Sequence, residues 1–362
     1  AAGYMSRFSP EKKGQITIAQ SDSAAIKGGH WKENRPVALV IDEIHNNLGG
    51  YVQRRINEHL DRGLPVIGLT ATPVGLGGHF KHLEVLCKLS ELREMGGALL
   101  AECHTPSEVD LKDIRKVATP GALADEMGRR FMQQQVVGSI IEHWRRLNPR
   151  GWPTIQFNPC IESSMWFCDE WNRAGVPSAH IDGEHIYYGE WKDGEREFVP
   201  SNRKTRNELR KQVYRGLIKV VNNRFVMREG VDWPFLYHAI FATRMGHPVP
   251  WVQSCGRILR SCPEKYKRYS GMKTVICQDH GGNLYAIGLG SPNADREWSL
   301  HDTPHSVMAD ARERVRKQED HQAVCCPTCQ RPIKWEVWQK NGSTCPYCKR
   351  EFTQSSRVVI QT

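Results

Sequence analysis

The chain has 362 residues, enough for about two domains, and its 39% hydrophobic and 25% charged content is that of a folded globular protein rather than a disordered or fibrous one. Mean hydropathy is −0.55, and no apolar run approaches the roughly 18 residues of a bilayer span, so a membrane-spanning helix is excluded. Fifty Lys and Arg against 40 Asp and Glu leave a net charge of +10, a bias that suits a polyanionic partner without requiring one.

Residues 36–41 (PVALVI) form an unbroken apolar run ending at Asp42 and Glu43, and residues 64–69 (LPVIGL) form another before Thr70-Ala71-Thr72-Pro73. Both predict buried parallel strands. Between them, residues 48–63 place apolar side chains at helical spacing and stop at Gly63, as a crossover helix does. Residues 105–130 mix Pro, Gly and charge around Thr119-Pro120-Gly121 and read as a linker. Alternation then resumes: a helix over 132–147, a strand over 154–158, a helix over 161–174, a short strand near 178–181, and strands at 217–221, 238–243 and 273–277. This order predicts a doubly wound α/β second domain, with Trp144, Trp166 and Trp171 in its core. Residues 308–322 read as a charged helical connector. Of 12 Cys, five crowd into the last 38 residues and seven are scattered without paired spacing, so no disulfide framework is expected. The chain opens Ala1-Ala2-Gly3 with no secretory or transit signal, and reads as a fragment or a processed product.

Asp42-Glu43-Ile44-His45 falls at the carboxyl end of a predicted strand, the rim where parallel α/β sheets bind ligands. In a nucleotide hydrolase the first acid holds Mg²⁺, the adjacent carboxylate accepts a proton from attacking water, and a nearby His reports the nucleotide state elsewhere. By itself the pattern reads equally well as a solvated strand end. Three further motifs follow in order: Gly68-Leu69-Thr70-Ala71-Thr72-Pro73 with two hydroxyls on the same rim, residues 228–234 (REGVDWP), and Gln253-Ser254-Cys255-Gly256-Arg257-Ile258-Leu259-Arg260 opening a later helix. Arg257 and Arg260, three apart, would share one helical face, placing a guanidinium pair where it can stabilise charge on a γ-phosphate.

The ordered set DEIH, GLTATP, TIQFNPCIESS, NRFVMREGVDWP and QSCGRILR resembles motifs II to VI of superfamily II DExH-type helicases and translocases, and Ile16-Thr17-Ile18-Ala19-Gln20-Ser21 resembles the strand just before motif II. The similarity covers about residues 14–290. His180-Ile181-Asp182-Gly183 and Asp279-His280-Gly281-Gly282-Asn283 point to the bacterial and phage branch related to type I and type III restriction translocase subunits. The resemblance implies two RecA-like parallel-sheet domains, ATP and Mg²⁺ at their interface, and a nucleic-acid strand across their tops. It implies that Asp42 holds Mg²⁺ through water and Glu43 is the catalytic base, with His45, Thr70 and Thr72 coupling hydrolysis to strand binding. Gly230 and Asp232 would lie at the nucleotide and ribose edge, Gln253 would support the γ-phosphate, Arg257 and Arg260 would be the fingers, and Phe157 and Asn158 would contact the nucleic-acid backbone. The Asp279 stretch reads as a turn rather than a metal-binding nuclease cluster. The basic stretch Arg203-Lys204-Thr205-Arg206 with Arg210-Lys211 faces the strand in such proteins, and reads equally as a solvated helix face.

One departure is large: nowhere is there a G-x-x-x-x-G-K-[ST] phosphate loop, and Gly271-Met272-Lys273-Thr274 lacks the Gly-Lys step and lies in the wrong domain. The first domain is then expected to be incomplete, its loop lying upstream or on a separate polypeptide, and the chain alone to be inactive.

Cys326-Pro327-Thr328-Cys329, followed after 15 residues by Cys345-Pro346-Tyr347-Cys348, has the paired-knuckle spacing of a structural zinc ribbon. Four thiolates close a tetrahedral site, and the metal replaces a core that so short a segment cannot build. Cys325 is an alternative to Cys326 that breaks the two-residue spacing. Trp335 and Trp338 read as ribbon packing, or, with Lys334, Lys340, Lys349 and Arg350, as a nucleic-acid surface.

The expected layout is a partial first RecA-like domain (1–105), a linker (106–130), a second RecA-like domain (131–300), a helical connector (301–322) and a zinc ribbon (323–355). The expected function is an ATP-dependent DNA helicase or translocase core, cytoplasmic and associated with the nucleoid of a bacterial or phage-infected cell. The alternatives are a non-catalytic nucleic-acid-binding or assembly subunit and an RNA helicase.

Overall fold

The computed structural model describes residues 37–303 apart from 47, 107–108, 110, 112–118, 228–231 and 285–287, then 305–310, 313 and parts of 324–351. The chain divides into two units, residues 1–84 with 297–303, and residues 85–296 with 304–362. The predicted strand at Ile16–Ser21 lies outside the described residues, and so does nearly all of the connector beyond 310.

In the first unit, β1 (Leu39–Asp42) and β2 (Val66–Leu69) pair in parallel with Asp42 opposite Leu69, and α1 (Gly50–Asp61) forms the crossover. Leu39, Ile41 and Val66 pack against Ile44, Val52, Ile56, Leu76 and Leu300. The opposite face carries Val40, Ile67 and Leu69, which are 58%, 49% and 42% exposed. Residues 297–303 strap the unit: the Gly75 amide donates to the Asp302 carbonyl and the Gly77 amide to that of Leu300, both at 2.7 Å. Gly68 lets the helical turn after β1 approach β2, since a Cβ there would meet Ile44 Cγ2 at 2.9 Å.

The second unit is built on an eight-stranded sheet. Its strands are β3 (Leu100–His104), β4 (Thr154–Phe157), β5 (Ser178–Ile181), β6 (His185–Lys192), β7 (Glu195–Pro200), β8 (Val220–Asn223), β9 (His238–Phe241) and β10 (Thr274–Asp279). They lie in the order β3-β10-β9-β4-β8-β5-β6-β7. The first six are parallel, and the β6–β7 hairpin continues the sheet antiparallel. Every residue of β4, β5, β8 and β9 is buried, because helices cover both faces. On one face, α3 (Pro120–Phe131), α4 (Gln134–Leu147) and α5 (Ile161–Arg173) contribute Phe131, Trp144, Phe167 and Trp171. On the other, α6 (Arg203–Arg215) and α7 (Pro248–Cys255), numbered after α2 (Leu89–Glu94), contribute Leu209, Val213 and Trp251. The buried indoles find acceptors, Trp144 donating to Thr154 Oγ1 at 2.8 Å and Trp171 to Gln156 Oε1 at 2.9 Å. Trp166 is only partly buried.

Two boundaries differ from the sequence reading. Leu100–His104, placed by sequence at the end of the first domain, is an edge strand of the second unit's sheet, paired with β10. The predicted linker contains α3, whose start is Thr119-Pro120: the Thr119 hydroxyl accepts from the Ala122 amide at 3.3 Å and Pro120 takes the first helical position. The dipeptide read as a linker signal is a helix cap.

Near the end of the chain, β11 (Val324–Cys325) and β12 (Pro332–Ile333) pair antiparallel, and Ile333 packs with Cys326, Cys329 and Cys345. Among the described residues, no helix is long and apolar enough to cross a membrane.

Candidate functional site

The first unit brings Asp42, Glu43, His45, Thr70 and Thr72 together at the carboxyl ends of β1 and β2. Asp42 ends β1 with an exposed carboxylate, one oxygen of which accepts from the Glu43 amide at 2.9 Å. Glu43 has a φ of 48°, a left-handed conformation that a non-glycine residue adopts only where its surroundings hold it. The helical turn Ile44–Asn46 follows, anchored by fully buried Ile44. It presents His45 Nδ1 at 3.5 Å from Glu43 Oε2 and 2.8 Å from Thr70 Oγ1. Thr70 Oγ1 also accepts the Thr72 amide at 3.0 Å. A continuous polar path therefore runs from Glu43 through His45 to the backbone after β2.

In the second unit, Gln253 lies in the last turn of α7 and Arg257 Nε donates to its carbonyl at 3.4 Å; both residues are 8% exposed. The two arginines do not share a helical face, because the helix ends at Cys255. Beyond it, Leu99 donates its amide to the Leu259 carbonyl at 2.7 Å and Ser261 donates to Gly97 at 3.2 Å. That short antiparallel bridge, centred on Ala98 and Arg260, draws the chain off the helical path. Arg260 instead reaches Asp232, with Nη1 at 2.8 Å from Oδ1. Gly230 lies outside the described residues. Phe157 and Asn158, expected at a nucleic-acid surface, are fully buried. Phe157 stacks on Phe241 with centroids 5.2 Å apart, and Asn158 Oδ1 accepts from Gln156 Nε2 at 2.9 Å. Both are core residues, since β4 is covered on either face.

Asp279 organises a turn, as the sequence suggested. Its carboxylate accepts from the Gly281 amide (3.1 Å), Asn283 Nδ2 (2.7 Å) and the Leu284 amide (2.9 Å). Burial outweighs these bonds and pushes its pKa up to about 6. Ser164, His180 and Asp182 form a hydrogen-bonded relay at 2.7 and 3.2 Å. Ser164 and His180 are fully buried, so the relay fastens α5 to β5 and offers no nucleophile to solvent.

The four cysteines of the paired knuckles converge. Their sulfurs lie within 4.8 Å of one another, with Cys326–Cys348 at 3.8 Å and Cys329–Cys345 at 3.7 Å. Tetrahedral Zn–S bonds of about 2.3 Å require sulfur separations of about 3.8 Å, so the donor set and its spacing fit zinc. Trp335, Trp338 and Lys334 lie outside the described residues. The knuckle is seated on the α/β sheet by contacts that spacing along the chain did not reveal. His104 Nδ1 lies 3.0 Å from the Cys329 carbonyl, Arg146 Nη1 donates to the Thr328 carbonyl at 3.1 Å, and Arg331 pairs with Glu102. A cleft of about 300 Å³ lies among His104, Arg146, Arg331 and Tyr347.

No family model matches the chain. It is 21% identical over 330 residues to a 51.5 kDa protein of Lactococcus phage (isolate 7-9), covering 88% of this chain and 62% of that protein. The chain thus spans less than two thirds of the curated relative it matches. A fragment of a putative HsdR subunit of a type I restriction enzyme from Vibrio vulnificus YJ016 superposes with a TM-score of 0.50 at 18% identity, covering 73% of this chain and 47% of the other. The type ISP restriction-modification enzyme LlaBIII bound to DNA superposes with a TM-score of 0.43 at 16% identity, covering 70% and 19%. What this likeness shows is the fold, a mostly parallel α/β sheet of RecA-like type shared with the HsdR fragment.

Proposed function

We propose that the chain is most of the motor core of an ATP-dependent DNA translocase or helicase, completed by a phosphate loop on another segment. The observation that carries this reading is the path Glu43–His45–Thr70–Thr72 across the ends of two paired parallel strands. Asp42, exposed at that rim, suits a water-bridged Mg²⁺, a cation that keeps most of its water and takes one or two carboxylates. Bound ATP with Mg²⁺ would supply the transferable γ-phosphoryl group. Glu43 then takes the proton from the attacking water, and His45, held between Glu43 and Thr70, passes the state of that carboxylate to the loop after β2. Within the second unit, Gln253, Arg257 and Arg260 are the polar and cationic side chains this reading assigns to nucleotide chemistry, an assignment carried by their motif. The Cys326, Cys329, Cys345 and Cys348 cluster holds a structural Zn²⁺. DNA is the substrate in this reading; RNA is the alternative that the same experiment separates.

The test is steady-state phosphate release by the chain alone and by the chain joined to a phosphate-loop segment, with and without DNA or RNA. Activity only in the completed protein, stimulated by DNA and abolished by Glu43→Gln, is the expected result. Robust hydrolysis by the chain alone, or turnover in the completed protein indifferent to Glu43→Gln, overturns it. A completed protein that binds nucleic acid and never turns over favours the assembly-subunit reading, which the missing loop motif supports.

A further inference from the structure

The net charge of the chain is concentrated in one place. Residues 209–219 and 263–273 together hold eight Lys and Arg and one acid, Glu264, and so carry seven of the ten net positive charges. The fold joins these segments. Arg268 Nη1 donates to the Arg215 carbonyl at 2.6 Å at the end of α6, and Arg210 bonds to the Tyr266 hydroxyl. The turn before β4 joins them: the Thr154 amide donates to the Lys219 carbonyl at 2.8 Å, and Trp152 packs edge-on to Tyr269 at 5.8 Å.

Because β4, β8 and β10 run parallel, the residues just before them share one edge of the sheet, and Arg150, Lys219 and Lys273 all stand there. This is the amino-terminal edge, opposite the carboxyl-terminal rim on which the ligands of such sheets bind. The cations are oriented by aromatic faces beneath them: Arg150 lies over Trp152 at 5.0 Å, Lys265 over Tyr266 at 5.3 Å and Arg268 over Tyr269 at 5.5 Å. Those rings are buried or half-buried, leaving cationic heads outward and no open aromatic platform for an unpaired base to stack on. A surface of fixed cations without stacking positions suits phosphates whose bases are already paired.

We propose that this amino-terminal edge is a docking face for the backbone of double-stranded nucleic acid, without sequence preference. It goes beyond the motor reading and stands without nucleotide hydrolysis, so the two fail separately. The contact is electrostatic and releases counterions, with a log–log salt slope of about −0.9 per phosphate engaged.

The test is fluorescence anisotropy of a labelled mixed-sequence DNA duplex with the full chain, without ATP, between about 50 and 200 mM salt. The triple variant Arg215→Glu, Lys267→Glu, Lys273→Glu reverses three exposed cations of the edge. The triple variant Arg129→Glu, Arg173→Glu, Lys192→Glu makes the same charge change at exposed positions elsewhere. The edge variant is expected to bind at least tenfold more weakly, with a salt slope smaller by about two to three, and the control within twofold of the parent. If the edge variant fails to fold by its thermal melt, Gln at the same three positions gives the same test with a smaller loss. Equal weakening by both variants, an unchanged edge variant, or a single strand that competes as well as the duplex would each overturn the proposal.

Discussion

Arg260 Nη1 donates to Asp232 Oδ1 at 2.8 Å, joining the residue read as an arginine finger to the one read as the ribose edge. The two side chains are 42% and 78% exposed, and a pair so open contributes about 0–1 kcal/mol. Arg260→Ala should therefore leave the urea unfolding midpoint almost unchanged while slowing ATP turnover of the completed protein by about 10³-fold. A lowered midpoint with unaltered turnover would make Arg260 a structural strut.

Thr70→Val removes the hydroxyl that accepts the Thr72 amide and meets His45. Stripping one partner from such a bond costs about 1–3 kcal/mol. The first unit should unfold at lower denaturant, and in the completed protein basal hydrolysis should persist while its stimulation by DNA is lost. Stimulation at the parent level would show that coupling bypasses Thr70.

One zinc per chain is expected by elemental analysis. Replacing both Cys329 and Cys348 with Ala should abolish it, since each pairs with a sulfur of the other knuckle, at 3.7 and 3.8 Å. Chelation should unfold the knuckles and leave the far-UV spectrum of the α/β sheet nearly intact. Full zinc retention in the double variant would contradict this ligand set.

Two buried groups push the pH response in opposite directions. Burial lowers the His238 pKa from 6.5 to about 3. The unfolded chain therefore binds the extra proton first, and stability falls as pH drops below about 6.5, at up to about 1.4 kcal/mol per unit. Asp279, raised from 3.8 to about 6 by burial, binds its proton first in the folded state. Its contribution grows as pH falls through that window. Asp279→Asn should thus steepen the acid loss between pH 6 and 4 in urea titrations, and His238→Gln should flatten it. An unchanged slope in both variants would mean that other groups govern acid stability.

Apolar runs identified β1 and β2 to within a few residues, although both alternate exposed and partly buried positions, whereas β4 and β9, buried along their whole length, were found from the strand and helix alternation around them. The β6–β7 hairpin was not legible, since its exposed half carries Glu190, Lys192, Asp193 and Glu195 and reads as a loop. The carboxylates and hydroxyls of the first unit were legible as motifs, because local spacing fixes them at strand ends. Arg257 and Arg260 were misplaced because their position depends on pairing with residues 97–99, far away in sequence. The knuckle spacing predicted four converging sulfurs, yet nothing local marks His104, whose contact with Cys329 spans 225 residues.

The edge strand β3 has a further consequence during synthesis. It precedes the other seven strands of its sheet, yet it pairs only with the last of them, and the Ala101 backbone is bonded on its other side by Asn293, 192 residues later. At about 5–20 residues per second, those partners leave the ribosome roughly 10–40 s after Ala101 does. Until then the strand's amides and carbonyls have no native partner, and the nascent chain must be protected from intermolecular strand pairing over that interval.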